Sequence, residues 1–441
     1  MKRIAMISEH ASPLAALGGA DCGGQNVYVD QLSRHLVNRG YRVDVFTRRD
    51  DPRLPEIVSH HGMRVVHVVA GPPERIRKEG LLPYMDSFTD YVLRFCRRHG
   101  RYDLVHANFF MSGMVAADIK LVLGTPFVMT FHALGRIRRL HQGDADGFPP
   151  ERVAIEDRIV AEADRIIAEC PQDVEDLVRL YDASRSKIVT IPCGFDAGEF
   201  APMDKRAARM ALGLDPDAWT VLQLGRMVPR KGVDDVIRAL GWLRREFDIS
   251  ARLLVVGGES RQPDPAVTPE LGRLAAVAEA EGVRDAVIFV GSRGRAELRT
   301  YYGAADVFVT TPWYEPFGIT PLEAMACGRP VIGAAVGGIM YSVSDGETGF
   351  LVPPRAPRAL AERLALLYQQ PELTRALGER AVRRANTLFT WARVARLASR
   401  LYEEVTPARR RARVTGRLSA RAATLSLRMP SARPRATAGS V

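Results

Sequence analysis

The chain has 441 residues, 46% of them hydrophobic and 7% aromatic, with a formal net charge of +11. That length exceeds what a single core usually serves, so an ordinary globular chain of two domains is expected. No apolar run approaches the ~20 residues that span a bilayer, and the opening MKRIAMISEH reads as a strand because Glu9 and His10 interrupt any signal-like core.

The five cysteines (Cys22, Cys96, Cys170, Cys193, Cys327) are scattered and form no CxxC pair. This points to reduced thiols in the cytoplasm and away from a disulfide frame or a zinc site. The charge is unevenly spread. Nine arginines and no Lys, Asp or Glu lie in 406–441, so that segment carries most of the net +11. Its composition reads as a disordered extension, with contact to nucleic acid or anionic lipid as the alternative.

In chain order, short β-branched runs predict strands at 3–8, 42–47, 63–69, 104–107, 127–132, 165–170 and 187–192. A second series follows at 220–225, 252–258, 287–291, 307–311 and 331–336. Helical patterns alternate with these runs, which is the signature of parallel α/β units covered on both faces. Segment 193–219 is rich in Gly, Pro and Asp and holds no predicted strand, which sets a domain boundary near residue 197. One helical pattern over 373–405 closes the folded body. Two doubly wound sheets joined in this way place ligands in a cleft, at the C-terminal ends of the strands.

Several stretches could carry chemistry there. GGADCGGQNVY sets Gly23 and Gly24 against a helix start whose free N–H groups suit a phosphate; Gly18 and Gly19 fit a flexible loop equally well. His132, in VMTFHALGR, ends a strand on the cleft side as a site residue or a simple loop histidine, and His10 is a weaker case of the same kind. GDADG (143–147) is a mobile acidic loop sooner than a metal site. GRMVPRKG places Arg226, Arg230 and Lys231 on a loop at a strand end. These cations could clamp a diphosphate or form a solvated basic turn. In WYEPFGITPLE, Glu315 precedes the turn Phe317–Gly318, a helix begins near Ile319 or Thr320, and Glu323 lies one turn in. The two carboxylates suit hydrogen bonds from sugar hydroxyls, or else are a turn residue and a helix-start acid.

Taken together and in this order, GGQNVY, GRMVPRKG and EPFGITPLE resemble the family 4 retaining glycosyltransferases over about residues 1–405. The resemblance implies the GT-B fold, two Rossmann-like parallel-sheet domains facing across a cleft. It implies an acceptor-side domain over 1–197 and a nucleotide-sugar domain over 198–385. A helix at 386–405 would pack back on the first domain, and the Arg-rich tail 406–441 would stand apart. The family's roles carry over position by position. Arg226 and Lys231 fall where the donor diphosphate is neutralised, Glu323 where the ribose is held, and Glu315 where the donor sugar is gripped. The backbone of Phe317, Gly318, Ile319 and Thr320 meets phosphates and sugar, the Gly23–Gly24 loop approaches the diphosphate, and His132 stands beside the reacting carbon. The implied catalytic set is His132, Arg226, Lys231 and Glu315, with a UDP- or GDP-sugar as donor substrate, no cofactor and no metal.

GGQNVYVDQL and GPPERIRKEGLLPYMDSF are most similar to the branch with the sucrose-phosphate synthases and the mycothiol-pathway enzymes. There Asn26, Lys78 and Arg152 fall near positions that hold an acceptor phosphate. This chain departs from the mycothiol enzymes at Phe109, where they carry an aromatic hydroxyl, and at Ala133, where they carry Thr. The resemblance thus implies a small sugar, polyol phosphate or glycan acceptor. It implies no nucleic-acid partner and at most a weak peripheral membrane contact through the tail. The alternatives are a sucrose- or mannosylfructose-phosphate-type synthase using fructose 6-phosphate, and a catalytically silent nucleotide-sugar binding protein tethered by that tail. Base selectivity is expected near Gly291–Arg293.

Overall fold

The computed structural model describes residues 1–15 and 23–406; Gly18, Gly19 and the arginine-rich segment from residue 407 lie outside the described residues. The first series of strands forms an eight-stranded sheet. Its strands are β1 (Arg3–Ile7), β2 (Arg42–Arg48), β3 (Ile57–His60), β4 (Met63–Val68), β5 (Leu104–Asn108), β6 (Phe127–Thr130), β7 (Arg165–Ala168) and β8 (Ile188–Thr190). They lie in the order β3-β4-β2-β1-β5-β6-β7-β8. The second sheet has β9 (Thr220–Leu224), β10 (Arg252–Val256), β11 (Val287–Gly291), β12 (Val307–Thr310), β13 (Val331–Ala334) and β14 (Gly349–Val352), in the order β11-β10-β9-β12-β13-β14. Every pairing is parallel except β3 with β4. Each sheet therefore reverses its winding once, between β1 and β5 in the first and between β9 and β12 in the second. Such switch points are where open α/β sheets bind ligands.

Two strands, β3 and β14, were not legible as periodic runs. β3 is a hairpin arm that exists because His61 and Gly62 both adopt positive φ (46° and 81°), the two-residue turn that lets a short edge strand fold back on β4. The helical pattern at 373–405 is not one helix. It is split into Pro371–Leu388 and Trp391–Val405. At the break the backbone of Phe195, in the segment between the sheets, accepts from Trp391 N (3.2 Å) and donates to Phe389 O (2.8 Å), and Thr390 caps the second helix. A Cβ on Gly194 would meet Phe389 O at 2.9 Å, so the two passes of the chain close on each other here.

The last helix lies against the first domain. Tyr402 hydroxyl is 2.6 Å from His106 Nδ1, Tyr41 hydroxyl is 2.8 Å from Ser399 Oγ, and Lys2 Nζ donates to Thr406 O at 2.9 Å. One buried apolar cluster runs from Ile4 and Tyr28 through Phe195, Phe389 and Trp391 to Phe317 and Leu322, joining elements of both sheets. Phe195, Phe389 and Trp391 are fully buried, and truncating any one to Ala is expected to cost ~3–5 kcal/mol. This shared core sits directly beneath the strand ends that carry the site.

Candidate active site

On the second domain, β9 ends at Leu224, and a short turn, Pro229–Lys231, leads into the helix Val233–Phe247. The turn is seated on the end of β12. Gly232 has φ of 63°, and a Cβ there would lie 2.1 Å from Thr311 O, so only glycine fits. Thr311 Oγ1 donates to Gly232 O (2.7 Å), Trp313 N donates to Arg230 O (2.9 Å), and Arg230 Nη1 donates to Tyr314 O (3.1 Å). The basic loop is thereby held against the stretch that carries Glu315.

Lys231 Nζ forms an ion pair with Glu315 Oε2, and Arg230 Nη1 stands 3.9 Å from the same oxygen. Burial pulls the Lys231 ammonium down to about 8, against Glu315, and the neighbouring Arg230 and Arg226 add to the drop. Burial alone would raise the Glu315 carboxyl, but Lys231, Arg230 and Arg226 together hold it below its ordinary value. The turn itself is cradled by Gly337 and Gly338. A Cβ on Gly337 would lie 1.9 Å from Glu315 O, and Gly338 N donates to Pro316 O at 3.0 Å. Gly318 takes φ of 88°, Phe317 is buried against Phe389, and the helix Thr320–Ala326 follows with Ile319 as its cap.

Glu323 is buried with both carboxylate oxygens engaged. Oε1 accepts from Arg295 Nη1 and Oε2 from the Tyr302 hydroxyl, each at 2.9 Å. Burial raises its carboxyl, and Arg295 and Tyr302 only partly offset this. Neither partner stood out in the sequence, since Arg295 and Tyr302 belong to a helix some 20–30 residues earlier. Gly291 has φ of 84° and packs on Arg261 O, while Arg293 Nε donates to the Tyr301 hydroxyl at 2.9 Å. A cavity of about 310 Å³ lies beside Arg293 and Tyr301.

The first domain brings its own strand ends to the same place. A Cβ on Gly23 would lie 3.8 Å from Arg226 Nε, and one on Gly24 3.6 Å from Ile319 Cδ1. The glycine loop and the donor-side loops are therefore in ordinary van der Waals reach across the cleft. Gly23 itself is extended (φ −164°), so its backbone conformation does not require glycine here. Cys170 Sγ approaches Pro316 O at 3.6 Å, and the rings of His141 and Tyr314 stack at 5.1 Å, two more contacts between the domains.

His132 stands at the end of β6 with φ of 57°. Its Nδ1 lies 3.0 Å from Glu169 Oε1 and its Nε2 3.0 Å from Asn108 Oδ1. Glu169 and Asn108 were missed, although an acid closing the apolar run RIIAEC was a visible signal. His10 Nδ1 lies 2.7 Å from Glu9 Oε1 and its ring meets Phe109 edge-on.

Each of the three residues tied to an acceptor phosphate has protein partners of its own. Asn26 is spent on the loop: its Oδ1 accepts from Gly23 N and its Nδ2 donates to Ser12 O, both at 2.9 Å. Lys78 lies in a short turn, 3.7 Å from Glu79. Arg152 is buried, donating from Nε to Glu156 (2.8 Å) and from Nη2 to Ala133 O (2.5 Å), with the rings of Phe109, Phe110 and Phe148 about it. Its Nη1 is buried with no hydrogen-bond partner. In the acidic loop, Asp146 Oδ1 accepts from Arg138 Nε at 2.6 Å. Among the described residues no group of three or more His, Cys, Asp or Glu is placed to hold a metal ion.

Comparison with known proteins decides the family. Residues 22–199 match the model described as Glycosyltransferase Family 4, and residues 204–384 match that described as Glycosyl transferases group 1. The chain is 40% identical over 404 residues to D-inositol 3-phosphate glycosyltransferase of Actinosynnema mirum, covering 89% of this chain and 95% of that one. The chain belongs to the family 4 glycosyltransferases. A further family 4 relative, D-inositol 3-phosphate glycosyltransferase of Corynebacterium jeikeium, is 37% identical, with 92% and 97% of the two chains covered. Among solved structures, sucrose-phosphate synthase from Thermosynechococcus elongatus superposes with a TM-score of 0.83 at 33% identity, covering 92% of this chain and 99% of that one. Anabaena HepE in complex with UDP and glucose shares the fold, with a TM-score of 0.72 at 19% identity over 92% and 100% of the chains. The two parallel-sheet domains are thus those of a GT-B glycosyltransferase, and the chain is an enzyme of that class.

Proposed function

We propose that this family 4 glycosyltransferase moves a sugar, with retention of configuration, from a nucleotide diphosphate to a hydroxyl of a phosphorylated small acceptor. The observation that carries the donor half is the approach of Arg226 and Ile319 to the Gly23–Gly24 loop, beside the paired Lys231 and Glu315 on the same donor-side loops. A diphosphate entering there meets Arg226, Lys231 and backbone N–H groups as fixed positive charge. Such preorganised charge stabilises the negative charge that develops as the diphosphate leaves, and removing one cation or donor typically costs ~10²–10³ in rate. The cations do this work without a metal. Lys231 exchanges its pairing with Glu315 for the diphosphate, which frees the carboxylate to accept from a sugar hydroxyl. Glu323, held by Arg295 and Tyr302, keeps lone pairs for a ribose hydroxyl. The nucleobase lies toward Gly291–Arg293.

For the acceptor, the support is twofold. The relatives named above act on D-inositol 3-phosphate or make sucrose phosphate, as their names state. Arg152 Nη1 is a buried donor with no protein partner, a group whose desolvation an acceptor phosphate would repay. We further assign the work to the cytoplasm, in keeping with four buried free cysteines among the described residues. No helix of the described residues is long and apolar enough to cross a membrane.

A thermal-shift panel of UDP-, GDP- and ADP-sugars tests the donor assignment. One nucleotide sugar is expected to raise apparent stability by ~2.7 kcal/mol at a hundredfold excess over its dissociation constant. Flat melting curves with all of them overturn it. Transfer to inositol 3-phosphate and fructose 6-phosphate, each compared with its unphosphorylated parent, tests the acceptor. Equal rates with and without the phosphate would sink that half.

A further inference from the structure

We propose that Glu169 and Asn108 are positioning residues that hold His132 as a doubly protonated imidazolium, locked between the ends of β5 and β7. The three side chains come from neighbouring strand ends: Asn108 closes β5, His132 follows β6 and Glu169 follows β7. Both ring nitrogens face an oxygen at 3.0 Å, Nδ1 toward Glu169 Oε1 and Nε2 toward Asn108 Oδ1. The question is whether both oxygens are acceptors.

The surroundings of Asn108 fix its amide. Its Nδ2 lies 3.2 Å from Ile7 O, 3.4 Å from His106 O and 3.0 Å from Met6 Sδ, all of them acceptors. Turned the other way, the amide oxygen would face all three and lose every bond. Oδ1 therefore points at His132 and needs an N–H there. Glu169 is equally committed. Its Oε1 also lies 3.0 Å from the Cys193 thiol, which donates to it. A neutral imidazole has one N–H and would leave either Asn108 or Glu169 facing a lone pair; an imidazolium satisfies both.

Among the described residues, none of the other groups that face the ring competes for this role. Tyr28, from the helix Gly24–Asn38, meets the ring edge-on at 4.7 Å, and burial raises its hydroxyl well above the usual range. His106 is pushed down to about 3 by burial and then by His132, so it is neutral. Asp173 and Cys193 are both pushed well up by burial. Glu315, across the cleft, is paired with Lys231. Burial alone would raise Glu169, but His132 and the Cys193 thiol bring it below its ordinary value.

Two consequences follow for the reaction, the first resting on the proposed donor site. With both N–H groups spent on the protein, His132 has no lone pair for the acceptor's proton and is not the general base. Its left-handed backbone, at φ of 57°, is held in place by these two side-chain bonds, which fixes the ring and its carbonyl at the cleft.

The test combines spectroscopy with kinetics on the full chain. In histidine-¹⁵N-labelled protein at pH 7, assigned by comparison with His132→Gln, both ring nitrogens of His132 are expected to carry protons. Glu169→Gln is expected to lose one of them. An unprotonated ring nitrogen in the wild type overturns the proposal, whatever the donor is. The kinetic arm uses hydrolysis of whichever of UDP-glucose, UDP-N-acetylglucosamine, GDP-mannose and ADP-glucose raises Tm. Glu169→Gln should lower kcat about 10²-fold with donor KM changed less than about twofold. Glu169→Asp keeps a carboxylate on that side of the ring and should retain at least about tenfold more kcat than Glu169→Gln. A Glu169→Asp variant no better than Glu169→Gln makes Glu169 merely structural and overturns the positioning role. If none of these UDP-, GDP- and ADP-sugars binds, the donor reading fails, while the spectra still decide the protonation of His132.

Discussion

Glu315 and Glu323 lie on one stretch of chain, and the structure treats them differently. Glu315 follows a strand on a turn and is paired with Lys231, a cation on a flexible stem that a diphosphate can draw away. Glu323 lies inside a helix and is gripped from both sides by Arg295 and Tyr302, on a second helix packed against the first. The difference teaches that a carboxylate in a donor site can be an exchangeable partner or a fixed fitting. Which one it is depends on whether its partners sit on a loop or on packed helices.

That contrast predicts opposite outcomes for similar substitutions. The largest effect is expected from Glu323→Ala, which leaves the largely buried Arg295 guanidinium with Glu199 alone and the buried Tyr302 hydroxyl without its acceptor. Each of the two buried groups left short of a partner costs about 1–3 kcal/mol, read together as a lowered denaturant midpoint. A midpoint equal to that of the wild type would break the comparison, because Glu323 would then not be a fixed fitting. Next, Lys231→Ala should leave the midpoint nearly unchanged and lower turnover by ~10²–10³. Wild-type turnover in that variant removes the diphosphate clamp.

A smaller, graded effect is expected from pH. The protonated lysine is the working form, and burial brings its titration down to about 8, so kcat/KM should fall about tenfold per pH unit above that value. A profile flat to pH 10 would mean that Lys231 does not titrate in the free enzyme. The same shift carries a stability signature of the opposite sense. Below about 8 the lysine is protonated in both states; between there and its ordinary value the unfolded chain binds the extra proton, so this group adds stability as pH rises. The smallest effect is expected from removing residues 407–441, which should leave donor turnover unchanged in solution. A collapse of activity on a soluble acceptor would show that the arginine-rich segment takes part in the reaction.

Much of the donor side was legible because its chemistry is local. GRMVPRKG and EPFGITPLE each carry their cations, glycines and carboxylates within a dozen residues, next to apolar runs that could only be strand ends. The first domain was less legible. The partners of His132 come from strands that are neighbours in the sheet but lie 24 and 37 residues away in the chain. The same holds for Arg295 and Tyr302 around Glu323. The split of the last helical pattern at Phe389–Thr390 had no local cause either, since it follows from the backbone pairing with Phe195.

By itself the sequence determined the alternation of strands and helices, the class of fold and the residue types offered at the cleft, because periodicity and turn chemistry are short-range. Tertiary structure alone decided how those residues are used. It spent Asn26 on a turn, paired Lys231 with Glu315, buried Arg152 among three phenylalanine rings and set His132 between Asn108 and Glu169. The physical reason is that a buried polar group must find its partner wherever the packed chain brings one, and sheet order, not sequence order, decides which one is near.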